Sequence, residues 1–336
     1  MGNFDQGKRA AILVTGANGF VGQHVLNQLT PYAERHSIRV VAGIKPGSRL
    51  DVAQQEVLEL DIENHAAVSS WLDENKPKAI IHLAAISAPQ IARDNPDSAW
   101  SINFSAVRKL AESMLLYTPQ TKLIFAGSSE AYGNSFATAN SAPISEDKRL
   151  EPQTVYGATK AAADLVLAQL SHQGLNCVRF RSFNHTGPGQ AENFVSSSFA
   201  KQIAEIELGH REPVIKVGNL ESIKDFLDVR DVAAAYVKAI DANRLDPSSN
   251  ALNLCSQIGI SIQQILDTLL ELTDLDVKIE SDPERVRAGE IPTTIGSNEK
   301  IKVAMAWQPK HGLKSTLLDL LDSWRHQLRH QKTLIE

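Results

Sequence analysis

Tyr156 and Lys160 stand four residues apart in Tyr156-Gly157-Ala158-Thr159-Lys160, the spacing of one helical turn. A phenol with its usual pKa of about 10 is a poor acid–base group at neutral pH. An ammonium one turn away is expected to lower that pKa and to reach a ribose. Tyr156 could then protonate an oxyanion, with the Ser128 hydroxyl donating to the same oxygen. Ser128 lies upstream, in Ala126-Gly127-Ser128-Ser129-Glu130-Ala131-Tyr132-Gly133. The chain also opens with Thr15-Gly16-Ala17-Asn18-Gly19-Phe20-Val21-Gly22. Three glycines between a strand and a helix permit a tight turn and a close backbone approach to a pyrophosphate at the helix N-terminus. The spacing is Gly-x-x-Gly-x-x-Gly, and Asn18, Phe20 and Val21 complete the turn. A phosphate-binding turn, a serine and a Tyr/Lys helix, in that order, point to nicotinamide-dependent chemistry on a carbonyl or hydroxyl.

The end of the second strand bears on which dinucleotide is taken. A ribose 2′-hydroxyl wants an acidic partner, whereas a 2′-phosphate wants cations. The segment Ala42-Gly43-Ile44-Lys45-Pro46-Gly47-Ser48-Arg49 has no carboxylate but carries Lys45 and Arg49, which favours NADP(H) over NAD(H). The plain alternative is that both are surface cations. Asp61 and Ile62, closing the third strand, are placed to touch the adenine. Glu130 has two readings: a base that removes a carbon-bound proton, or a solvated loop acid.

The elements that must position these groups alternate. Apolar runs at Ala10–Thr15, Ile38–Ile44, Val57–Ile62, Ala79–Ala85, Lys122–Ala126 and Asn176–Arg181 read as strands, with amphipathic stretches between them. This predicts an α/β fold, a Rossmann-type doubly wound parallel sheet with a smaller C-terminal substrate-binding α/β lobe. The first helix is expected from about Phe20 to Leu29, ending before Pro31. The helix before the fifth strand carries Val107, Leu110, Ala111, Met114 and Leu115, and the Tyr156 helix runs on through Ala161, Ala162, Leu165, Val166 and Leu170. Both stripes suit core packing, and also a homodimer seam. Asn184–Ser198 reads as a long functional loop, followed by a helix (Phe199–Leu208) and a strand (Val214–Val217). Asp231–Ala242 and residues 260–272, 298–306 and 313–329 are expected to be helical. The dinucleotide domain is expected at 1–184 and about 225–256. The substrate domain takes about 185–224 and 257–336. Residues 1–8 are expected to fray.

A chain of 336 residues can bury a sizeable core in two lobes. A formal net charge of −5 disfavours nucleic acid or an anionic membrane as the main partner. The two cysteines, Cys177 and Cys255, lie in apolar runs and read as small buried hydrophobes. The histidines show no zinc-ligand spacing, so no metal is expected. Few cysteines, no signal-peptide pattern and no apolar run near 20 residues set the expectation of a cytoplasmic protein.

From about residue 10 to 325 the chain resembles the extended short-chain dehydrogenase/reductase family. The residues that carry the resemblance are Gly16, Gly19 and Gly22, His82-Leu83-Ala84-Ala85, Asn103, Tyr156 with Lys160, and Arg230-Asp231-Val232. Within it the chain is most similar to the GDP-4-keto-6-deoxy-D-mannose reductases, which form GDP-D-rhamnose. That closer likeness rests on Ser182-Phe183-Asn184-His185-Thr186-Gly187-Pro188-Gly189-Gln190, Phe199-Ala200-Lys201-Gln202-Ile203, Val217-Gly218-Asn219-Leu220-Glu221 through Asp225-Phe226, and Ile295-Gly296-Ser297-Asn298. The resemblance implies a nucleotide-diphosphate sugar as substrate. It implies that Leu83, Ala84, Ala85 and Asn103 line the cofactor, and that Ser87 and Ser129 meet the sugar. It also implies that Asn184 touches the diphosphate, that Arg287 pairs with it and that Glu290 accepts from the nucleoside ribose. Relatives often carry arginine where this chain has Lys224, which keeps the charge and loses the bidentate fork. Related 4,6-dehydratases place a catalytic glutamate at the position of Glu130. A GDP-mannose 4,6-dehydratase or another dehydratase or epimerase of the family is therefore the competing expectation. A noncatalytic dinucleotide-binding protein is a further rival, against which the intact Ser128, Tyr156 and Lys160 set argues.

Overall fold

The computed structural model describes residues 10–50, 55–285 and 291–333. The strands are β1 (Ala11–Thr15), β2 (Arg39–Ile44), β3 (Glu56–Glu59), β4 (Ala79–His82), β5 (Lys122–Ala126), β6 (Cys177–Ser182), β7 (Asn184–Thr186), β8 (Val214–Val217), β9 (Ile223–Asp228), β10 (Ala251–Leu254), β11 (Gly259–Ser261), β12 (Lys278–Ser281) and β13 (Thr293–Thr294). The helices are α1 (Phe20–His36), α2 (His65–Asn75), α3 (Pro89–Asp94), α4 (Pro96–Trp100), α5 (Val107–Tyr117), α6 (Val155–His172), α7 (Val195–Glu207), α8 (Val229–Ala239), α9 (Ile262–Leu270), α10 (Glu299–Met305) and α11 (Leu313–Thr333).

Seven strands form one sheet in the order β10-β6-β5-β4-β1-β2-β3. Every pairing in it is parallel. Its central strands are buried on both faces, which is why they read as continuous apolar runs. One face packs Ile12, Val14, Ile81 and Phe180 against Val25, Leu29 and Tyr236 from α1 and α8. The other packs Leu13, Ile80, Leu123 and Phe125 against α2, α5 and α6 through Leu72, Leu110, Met114 and Leu167. Strand order reverses between β1 and β4, so a crevice opens at their carboxyl ends, the place where such sheets take ligands. The remaining strands form a four-stranded sheet (β11-β9-β13, with β7 on β9) and a β12-β8 pair. A separate core of Phe199, Ile203, Ile265, Leu266, Leu320 and Trp324 holds α7, α9 and α11 together. Cys177 and Cys255 are both buried thiols.

Some boundaries differ from those read off the chain. Helix α1 runs through Pro31 to His36 instead of stopping at Leu29. An interior proline costs about 3 kcal/mol in a lost bond and a clash. Here Tyr32 and Ala33 pack onto the core beyond it, and the Pro31 ring faces solvent. The third strand ends at Glu59, although the Leu60 amide still bonds the Ile44 carbonyl. The segment expected as one loop from Asn184 to Ser198 contains β7 and the first turn of α7. Helix α8 begins at Val229, because the Asp228 carboxylate caps the Arg230 amide. The first nine residues lie outside the described residues. Among the described residues no helix is long and apolar enough to cross a membrane.

Candidate active site

The Gly16–Gly22 turn leaves β1 and enters α1 at the switch point. Gly16 sits at φ +68°, and a Cβ there would lie 2.8 Å from the Ala84 amide nitrogen. A Cβ on Gly22 would lie 2.4 Å from the Gly16 carbonyl oxygen, so only glycine lets α1 start this close to the turn. The N-cap Gly19 has no side-chain cap, and no acidic residue occupies the first turn. A helix N-terminus without its own anion is a ready site for pyrophosphate. Asn18, Phe20 and Val21 lie on this turn, with Asn18 and Phe20 half-buried.

Leu83, Ala84 and Ala85 follow β4 beneath the turn, and two buried polar residues pin them. Thr15 Oγ1 lies 2.9 Å from His82 Nδ1 and 3.3 Å from the Ala84 amide nitrogen. Burial drives the His82 imidazole down to about 3, so it is neutral. Asn103 accepts from the Ile86 amide at 2.8 Å and donates to the Ile86 carbonyl and to Thr159 Oγ1. It lies in a π-helical turn, Ser101–Ala106, so its side chain holds the wall of the crevice to α6. Neither Thr15 nor His82 is given a site role by the sequence pattern. Their signal is a polar side chain inside a buried parallel strand.

The reacting groups arrive on two elements. Thr154 caps α6 by accepting the Gly157 amide at 2.9 Å, which puts Tyr156 in the first turn and Lys160 one turn below. Ser128 leaves β5 and caps the short 3-10 turn 129–131 by accepting the Glu130 amide at 3.2 Å. Gly157 lets these elements meet, since a Cβ there would lie 2.7 Å from the Glu130 carbonyl oxygen. The Tyr156 phenol and the Ser128 hydroxyl are both buried, and Ser128 is near enough to pull on the titration of the phenol.

The electrostatics differ from the simple Tyr/Lys expectation. Burial pushes the Tyr156 phenol above its ordinary range, the Ser128 hydroxyl pulls it back, and the Glu130 charge adds to the rise. Tyr156 therefore holds its proton at neutral pH. Lys160 is 4% exposed, and desolvation lowers its ammonium to about 8. Its Nζ donates to the Ala126 carbonyl at 2.8 Å and lies 5.2 Å from the centre of the Phe125 ring. It does not depress the phenol here: Nζ is 6.0 Å from the Tyr156 ring centre, and both groups are dried by the same burial.

The other residues named from the sequence lie on several elements. Lys45 and Arg49 are exposed just past β2. A carboxylate does come near them, from β3: Glu59 Oε1 accepts the Gly47 amide at 3.4 Å. Asp61 caps the turn into α2 by accepting the Glu63 amide, with Ile62 beside it. Ser87 is exposed on the loop after β4, Ser129 is half-buried beside Ser128, and Glu130 is exposed. Asn184 is exposed at the start of β7. Lys224, on β9, donates to the Ile291 carbonyl at 2.6 Å. Arg287 and Glu290 lie outside the described residues.

The chain is similar to known proteins along nearly its whole length. The family model described as GDP-mannose 4,6 dehydratase matches residues 13–320. The GDP-6-deoxy-D-mannose reductase of Pseudomonas aeruginosa is 28% identical over 95% of this chain and 99% of its own length. A UDP-glucose 4-epimerase of Corynebacterium glutamicum is 27% identical, over 93% of this chain and 94% of that protein. The solved structure of RMD from Pseudomonas aeruginosa complexed with NADPH superposes with a TM-score of 0.79 at 26% identity, covering 95% of this chain and all of that one.

Proposed function

The chain belongs to the GDP-mannose 4,6-dehydratase family of extended short-chain dehydrogenase/reductases, and from that premise we propose that it reduces the C4 keto group of a GDP-4-keto-6-deoxyhexose with NADPH. The product is a GDP-6-deoxyhexose, with GDP-D-rhamnose the first candidate. The observation that carries this reading is the similarity, along 95% of the chain, to the GDP-6-deoxy-D-mannose reductase of Pseudomonas aeruginosa, with Ser128, Tyr156 and Lys160 all buried where β5 meets α6. A carbonyl-reducing cycle needs a proton donor at the keto oxygen, and the Tyr156 phenol is of the right kind.

When bound, the dinucleotide supplies the hydride. Gly16, Gly19 and Gly22 with the α1 N-terminus would hold its pyrophosphate, and Lys45 and Arg49 a 2′-phosphate. Ser128 orients the keto oxygen by hydrogen bonding, and Tyr156 Oη delivers its proton to that oxygen as negative charge develops there. Lys160 holds positive charge beside the phenol and reaches toward the nicotinamide ribose. Asn184, Lys224, Arg287 and Glu290 are proposed to hold the sugar nucleotide, with Ser87 and Ser129 nearer the sugar.

The second reading, a 4,6-dehydratase, rests on Glu130, a carboxylate two residues past Ser128, and on the match to the GDP-mannose 4,6 dehydratase family model. Substrate-dependent NADPH oxidation with GDP-4-keto-6-deoxymannose tests the first reading directly. Glu130→Gln is expected to keep reductase kcat within about threefold, whereas losing a true base costs about 10²–10⁴. Conversion of GDP-mannose to a 4-keto product without added NADPH, abolished in Glu130→Gln, would replace the reductase with the dehydratase.

A homodimer is also proposed. Leu116 and Tyr117 on α5 and Leu165 on the adjacent α6 expose apolar surface. Leu165→Glu is expected to halve the mass seen by light scattering. A monomeric wild type removes the dimer.

A further inference from the structure

We propose that His24 is a positioning residue that transmits occupancy of the Gly16–Gly22 turn to the 184–190 loop, making dinucleotide and sugar nucleotide bind with positive cooperativity. The inference rests on the reading of those two segments given above. His24 stands on α1, one turn below the N-terminus that would hold pyrophosphate, and its Nε2 lies 2.9 Å from the Pro188 carbonyl oxygen. The partner carries no proton, so His24 is the donor. Phe20, the first residue of α1, stacks on His185 with ring centres 6.1 Å apart and planes 10° from parallel. Phe20 also meets His24 edge to face at 5.7 Å. Both ends of the clasp thus join the start of α1 to the loop that begins at Asn184.

The segment is tied together by its own bonds, beyond the pairing of β7 with β9. Thr186 Oγ1 donates to Gln190 Oε1 at 2.6 Å, and Gln190 Nε2 donates to the His185 carbonyl at 2.8 Å. Ser197 Oγ, in the first turn of α7, donates to the Gln190 carbonyl at 2.6 Å. Between these bonds lie Gly187 at φ +150° and Gly189 at φ +85°, conformations few other residues adopt. The Gly187–Gly189 tip between β7 and the Gln190 anchor is thus the part joined to the start of α1, through the His24–Pro188 bond. A ligand that immobilises the α1 N-terminus then orders the loop through this bond, and the second ligand binds a loop already ordered. Linkage requires the converse effect to be equal in size.

The test is amide hydrogen exchange over 184–190 in wild type, His24→Ala and His24→Gln, each with and without saturating NADPH. Glutamine keeps an N–H donor on a side chain of similar reach. NADPH is expected to slow exchange at least about fivefold in wild type and His24→Gln, and to leave His24→Ala unchanged. In parallel, GDP or UDP is expected to tighten NADPH binding about 5–150-fold in wild type and less than about twofold in His24→Ala. Equal NADPH protection of the loop in His24→Ala and wild type, or equal cooperativity, would overturn the proposal. Neither readout needs turnover. A protein that shows the coupling yet reduces no keto-sugar loses the functional reading and keeps the clasp, and one that reduces it without coupling loses only the clasp.

Discussion

Tyr156→Phe is expected to bind NADPH within about twofold of wild type and to lose about 10²–10⁴ in kcat, the usual worth of a positioned proton donor. The phenylalanine ring keeps the packing of Tyr156 against Ala92, Ala99, Ile86 and Val155. What disappears is one buried hydroxyl close to Ser128. That loss is nearly balanced in the resting protein: any polar contact given up is worth about 1 kcal/mol, while a buried polar group is also removed. Stability should therefore shift by no more than about 1 kcal/mol, and a large fall in kcat can be assigned to the missing proton. The raised phenol adds a pH signature. Because Tyr156 titrates above its ordinary value, the wild-type reduction rate should show no loss from this group between pH 6 and 9. Steady-state kinetics and a fluorescence titration with NADPH decide the matter. Full activity in Tyr156→Phe would remove Tyr156 as the acid.

Much of this site could be read from the chain, and the reasons are local. A buried parallel strand shows itself as an apolar run, a glycine turn as three spaced glycines, and Tyr156 and Lys160 as neighbours on one helical face. The less legible parts are those in which distant residues answer one another. Strand β9, Ile-Lys-Asp-Phe-Leu-Asp, hides because Asp225 sits inside it, fully buried and satisfied by the Ser256 amide and hydroxyl and by the amides of Gln257 and Gly296. No nearby residue announces that cage. His24 is likewise an unremarked helix position until Pro188, 164 residues on, comes beside it. The Tyr156–Lys160 electrostatics failed for another reason. Spacing tells how close two groups come, but not how far water is excluded from both. Here desolvation outweighs their mutual effect.

The same desolvation makes Lys160→Met a variant that should gain stability as it loses function. Lys160 falls from 10.5 to about 8 in the folded chain because burial strips its ammonium of water. Between pH 8 and 10.5 the unfolded chain therefore holds more protons than the native one, and stability from this group rises with pH. Below pH 8 the native protein carries the full penalty, about 3 kcal/mol. Methionine fills similar volume without the charge. It forfeits the bond to the Ala126 carbonyl and the contact with the Phe125 ring, together about 1–2 kcal/mol. The expected net effect is a gain of about 1–2 kcal/mol at pH 7 that fades or reverses by pH 10. Activity should move the other way, with kcat/KM down about 10² or more, since no cation remains beside the phenol and the ribose. Denaturant melts at pH 7 and pH 10 measure the first effect, and NADPH oxidation measures the second. A Lys160→Met protein destabilised equally at both pH values would mean that Lys160 is not a buried charge held against its solvation. A protein that kept wild-type kcat/KM would mean that the charge does no work in the reaction. Gain in one assay and loss in the other is the result expected of a fold that bears a desolvated cation for its chemistry.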